Sequence, residues 1–240
     1  RRGGPPRVIA LLRSEWPLLV LLLVTLLIGI APLLHYGHWA IIGGGWDIET
    51  ALPTVRYLER GPISAIRSAP MNPLRDLVSD PPRIGKTLGF ALWQGQIDLL
   101  TGIEAILTFV PLMAWMRALG VLAVYVMLRA TFALQRPAAL LGAAWASAGA
   151  LLLWIIYFNF EKQISAWALI PLGLVTCVAA VEYLALYRSE RRAQTIAIVL
   201  VAALTVAAQI VAYYAAMTLW VPLAVGLAIG VLAEQPLQGA

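Results

Sequence analysis

The stretch WPLLVLLLVTLLIGIAPLL, Trp16–Leu34, holds no charged residue. A helix needs about 20 mostly apolar residues to cross roughly 30 Å of hydrocarbon, and this run meets that length. It is rich in Leu and lacks period-two alternation, so it reads as a membrane-spanning helix rather than a barrel strand. Five further segments read the same way: Ile106–Leu128, Ala138–Tyr157, Ile164–Tyr187, Ala193–Tyr213 and Ala215–Leu232. Pro137 precedes the third, where a proline suits the first helical turn.

The composition agrees. The chain is 61% hydrophobic and 12% charged, with mean hydropathy +0.84. A soluble domain of this length cannot hide so much apolar surface. The expected fold class is all-α: a polytopic transmembrane helical protein with about six spans in a single transmembrane domain, residues 1–240. The formal charge of +5 does not imply nucleic acid, because the basic residues cluster between spans. Arg1, Arg2, Arg7 and Arg13, then Arg129 and Arg136, then Arg188, Arg191 and Arg192 alternate with links that carry Glu161 and Lys162 or only Tyr213 and Tyr214. By the positive-inside rule the N-terminus is cytoplasmic and the stretch His35–Gly102 is an extracytoplasmic loop. The basic-then-apolar start resembles a signal peptide, but no small-residue cleavage site follows, so it reads as an uncleaved anchor. The ends resemble no domain border, and the chain reads as part of a longer protein. Cys177, the single cysteine, reads as a small buried hydrophobe.

The long outer loop has structure of its own. Ile48, Ala51, Leu52, Val55 and Leu58 recur at helical spacing, with Glu49, Arg56 and Arg60 on another face; this predicts a short amphipathic helix on the membrane surface, ended by Gly61-Pro62. A second interfacial helix is expected over Leu88–Leu100, with Phe90 and Trp93 toward lipid. The prolines between them imply an extended path.

Three places can carry chemistry. Asp47 and Glu49, in Gly43-Gly44-Gly45-Trp46-Asp47-Ile48-Glu49, can share a hard divalent cation such as Mg or Mn, or act as a general base. The competing reading is a helix N-cap with an acid in the first turn. Arg117 lies about three turns before Arg129, at depth or near the outer end of its span. An arginine there usually faces protein, water or phosphate, and a lipid phosphate is the expected ligand; the alternative is a side chain snorkelling to the interface. Glu161 and Lys162, in the turn Asn159–Gln163, can contribute to substrate binding on the acidic side, or form a solvated hairpin tip. Gln209 can bond a neighbouring helix. His35 and His38 lack a third ligand with metal spacing. Walker, Gly-x-Ser-x-Gly, His-Glu-x-x-His and zinc patterns are absent from the sequence.

One N-in span, an outer loop with Asp47-Ile48-Glu49 and interfacial helices, then many spans, resembles the GT-C superfamily of membrane glycosyltransferases. Trp154–Gln163 followed by Ala168-Leu169-Ile170-Pro171-Leu172 is similar to the hairpin between the third and fourth spans of bacterial members. The resemblance covers most of the chain in layout and few residues in motif. It implies transfer of a sugar from a polyprenyl-phosphate donor at the outer face of the cell (inner) membrane, with Asp47 as catalytic base or metal-site acid and Glu49 as its partner. The expected partners are membrane lipid and the polyprenyl-phosphate sugar. The rival reading is a non-catalytic subunit of a larger membrane complex, with protein subunits as partners.

Overall fold

A computed structural model describes residues 14–37, 52, 54–56, 89–149, 161–186, 191–213 and 217–234. Among the described residues seven principal helices are formed: α1 (Trp16–Tyr36), α2 (Gly89–Thr101), α3 (Ala105–Ala130), α4 (Arg136–Ser147), α5 (Glu161–Leu186), α6 (Arg192–Tyr213) and α7 (Met217–Glu234). No strand occurs among the described residues. Helices α1, α3, α5 and α6 are long and apolar enough to cross a membrane. The chain is an all-helical, multi-pass membrane protein.

Burial separates axis from rim. Of the apolar windows of α3 and α5, 61% and 56% are buried, against 22% for α1 and for α6. α3 and α5 are therefore the axis of the bundle; α1 and α4 pack on α3, and α6 and α7 on α5. α1 runs antiparallel to α3. Its early Leu18 joins Val121, Val124 and Tyr125, and its late Leu33 joins Phe109 and Met113. Its other face leaves Leu19, Leu23 and Leu27 exposed, as lipid contact requires.

Two close approaches set these spacings. A Cβ on Gly29 of α1 would lie 2.6 Å from the Ala114 Cβ of α3. A Cβ on Gly120 of α3 would lie 2.1 Å from Nε1 of Trp167 on α5. Lipid gives no hydrophobic drive between helices, so such small-residue contacts supply the packing. Hydroxyls inside the spans bond their own helix. Thr25 donates to the Leu21 carbonyl at 2.7 Å and Thr205 to that of Val201 at 2.8 Å.

Most expected spans correspond closely to helices. The exception is Ala138–Tyr157. α4 begins at Arg136 and stops at Ser147 after 12 residues, about 18 Å at 1.5 Å per residue. Residues 150–160 lie outside the described set. The expected second interfacial helix is α2, but Phe90 does not face lipid. It is 3% exposed and meets Phe109 edge-on at 5.2 Å. Phe90 and Gln94 share the side of α2 that packs on α3, so tertiary packing takes the ring; Trp93 stays partly exposed. Of the expected first amphipathic helix, Leu52 and Thr54–Arg56 are described and helical. Val55 is buried against Ala91 and Ala105, so the apolar face docks on protein rather than lipid.

Gly120→Ala should destabilise the bundle by about 1–3 kcal/mol, because the indole it strikes is held by packing. Thermal unfolding in detergent measures this, and Trp167→Leu in the same chain should restore part of the loss.

Candidate functional site

The helix ends divide polar groups into two sets. At one end, called here the basic end, α1 begins, α3 ends and α4 begins. Tyr125 donates its hydroxyl to Glu15 Oε2 at 2.8 Å. The Arg136 guanidinium lies 3.5 Å from the same oxygen, and Arg129 donates to the Leu134 carbonyl at 2.7 Å. This cluster ties three helix ends together.

At the opposite end α2 turns into α3. Thr101 closes α2 by donating to the Ile97 carbonyl at 2.7 Å. Gly102 takes φ +70°, the left-handed conformation that favours glycine at a helix end. α3 then starts at Ala105. This corner forms an open recess of about 240 Å³ lined by Arg56, Asp98, Leu99, Ile103, Glu104 and Ala105. Arg56 and Glu104 pair at 3.6 Å, both largely exposed. Asp98 Oδ1 accepts from the Thr108 hydroxyl at 3.3 Å. Behind Thr108 stands Gln94, fully buried. Its amide nitrogen contacts Thr108 Oγ1 and lies 3.4 Å from the Ala105 carbonyl. Its Oε1 has no hydrogen-bond partner.

A second recess of about 150 Å³ opens beside the first, between α2, α5 and α6. It is lined by Phe90, Leu92, Trp93, Leu169, Ala208 and Val211, with Gln96 and Ser165 as polar members. Its lining is mainly apolar. α2 contributes to both recesses.

Arg117 lies in the middle of α3. It is 12 residues past Ala105, about 18 Å along the axis, and it is 1% exposed. It therefore sits at depth and does not snorkel. Its guanidinium donates to the carbonyl of Ser147, the last residue of α4. The last carbonyls of a helix have no partner within it, and a cation at that end also opposes the helix dipole. Arg117 thus caps the described end of α4 from the centre of the neighbouring helix.

Of the expected site residues, only Arg117 has its side chain among those described. Asp47 and Glu49 lie outside the described residues. Glu161 and Lys162 begin α5, and their side chains also lie outside what is described. Among the described residues no group of three or more His, Cys, Asp or Glu can hold a metal ion. Gln209 is buried, as expected of a polar residue inside a span. Asp98, Glu104 and the Gln94–Thr108 pair were not singled out from the sequence. The signal was available: Gln94 and Asp98 stand four apart on one helix face, and Glu104 follows a glycine between two helices. Searches against protein-family models, curated proteins and solved structures found no match to this chain.

Arg117→Ala should lower stability by about 1–3 kcal/mol by orphaning the Ser147 carbonyl. Arg117→Lys should restore part of it, because an ammonium has a shorter reach and no fork. Denaturant unfolding of the reconstituted protein reads both.

Proposed function

We propose that this chain is a glycosyltransferase-like protein of the cell (inner) membrane. It transfers a sugar from a polyprenyl-phosphate donor to an acceptor at the outer face. The observation that carries the reading is the docking of Val55 against Ala91 and Ala105. This anchors the segment immediately after Asp47-Ile48-Glu49 at the end of the bundle that holds both recesses. Three extended residues span about 10 Å and five about 18 Å. Chain connectivity alone therefore keeps Glu49 and Asp47 within those distances of Leu52.

The charge pattern supports the orientation. Arg129 and Arg136 gather at the basic end, as do Arg191 and Arg192 at the start of α6. By the positive-inside rule that end is cytoplasmic and the recesses face outward. The apolar recess suits part of a lipid tail, and the polar one lies beside it.

In the reaction, a bond forms between the sugar's anomeric carbon and the acceptor oxygen. The bond from that carbon to the phosphate oxygen breaks, and polyprenyl phosphate leaves with the electron pair. Asp47 takes the acceptor proton and Glu49 is its partner. A divalent cation held by the two carboxylates would supply positive charge beside the leaving phosphate. Glu161 and Lys162 are retained as substrate contacts of this proposal; Arg117 is not, because its buried guanidinium bonds the Ser147 carbonyl in mid-span.

Asp47→Asn should lower transfer by about 10²–10⁴-fold, the usual worth of a general base, while leaving insertion and thermal unfolding unchanged. A membrane assay with radiolabelled polyprenyl-phosphate sugar measures it. Unchanged transfer removes Asp47 from the mechanism.

A further inference from the structure

Three kinds of surface meet in the recess at the α2–α3 corner. Asp98 and Glu104 supply carboxylate acceptors, Arg56 supplies guanidinium donors, and Leu99 and Ile103 supply apolar surface. The two apolar side chains are 69% and 46% exposed. Its volume of about 240 Å³ falls below the roughly 300–1,000 Å³ of pockets for drug-sized ligands, so it suits one small unit. The Arg56–Glu104 pair is exposed and screened, so a ligand can displace it at little cost.

Asp98 has a hydroxyl beside it. Thr108 Oγ1 lies 3.3 Å from one of its oxygens and 3.4 Å from the Ala105 carbonyl, and its one proton serves either. Gln94 backs Thr108 from a fully buried position that leaves its own carbonyl oxygen without a partner. Buried polar groups are almost always satisfied, and an orphan calls for an explanation.

A pyranose ring presents hydroxyls at its edge and C–H groups on its face. Carboxylates accept from hydroxyls, guanidinium donates to them, and apolar side chains cover the C–H face. We propose that this recess binds a single pyranose unit. Asp98 and Arg56 contact its hydroxyls, Leu99 and Ile103 cover its face, and Thr108 and Gln94 are positioning residues. The inference rests on the transferase reading only for where the sugar comes from, donor or acceptor.

The test uses the full chain in detergent micelles, with saturation-transfer NMR on methyl glycosides of glucose, galactose, mannose and N-acetylglucosamine. At least one glycoside should bind. Asp98→Asn and Arg56→Ala should each weaken it about tenfold or more, the worth of a charged hydrogen bond, and Thr108→Val about threefold, with thermal unfolding unchanged. Should Asp98→Asn fail to fold, Glu104→Gln and Arg56→Ala read the same recess. Absence of binding by every glycoside, or unchanged binding in these variants, overturns the proposal. So does binding of manganese or calcium alone, lost in Asp98→Asn, without glycoside binding. Transfer by a chain that binds no glycoside sinks the recess and leaves the transferase. Glycoside binding by a chain without transfer does the reverse. If both hold, a rise in acceptor KM in Asp98→Asn assigns the acceptor; unchanged acceptor KM with weakened donor binding assigns the donor.

Discussion

Hydrocarbon offers no partner to a backbone carbonyl, and this governs every helix end in the bundle. The described part of α4 is 12 residues long, too short to cross the hydrocarbon by itself. Arg117, at the centre of α3, meets its last carbonyl. Each group would be costly alone: a charge at depth and a carbonyl without a donor. Together they permit a short helix beside the axis of the fold.

The same economy shapes the helix contacts. Gly29 admits Ala114, and Gly120 admits the Trp167 indole. Thr25, Thr176 and Thr205 bond carbonyls of their own helices. Polar side chains free to act on a ligand are thereby moved to the two ends. The basic end spends its charges on tying Glu15, Tyr125 and Arg136 together. The other end keeps Asp98, Glu104 and Arg56 around an open recess, next to an apolar one.

Much of the scaffold is legible in the sequence because hydropathy and length are local properties. Trp16–Leu34 predicts α1 to within two residues at its end, and Ile106–Leu128 predicts the core of α3. Partner choice is not local. The amphipathic pattern around Leu52 and Val55 shows an apolar face, but only the tertiary structure shows that α2 and α3, rather than lipid, cover it. Phe90 went to Phe109 for the same reason. An uninterrupted apolar run over Ala138–Tyr157 conceals the stop at Ser147, since nothing in hydropathy marks where a helix finds a cap 30 residues earlier in the chain. The recess was hidden because its members come from three segments, each unremarkable alone. Asp47 and Glu49 were legible as a motif, and their geometry lies outside the described residues.

The bond between Arg117 and Ser147 also bears on biogenesis. The arginine is synthesised 30 residues before the carbonyl that receives it, an interval of a few seconds at about 5–20 residues per second. During that interval α3 carries the arginine without its bond to the Ser147 carbonyl. The bond can form only once α4 lies beside α3, which couples the placement of the two helices during insertion.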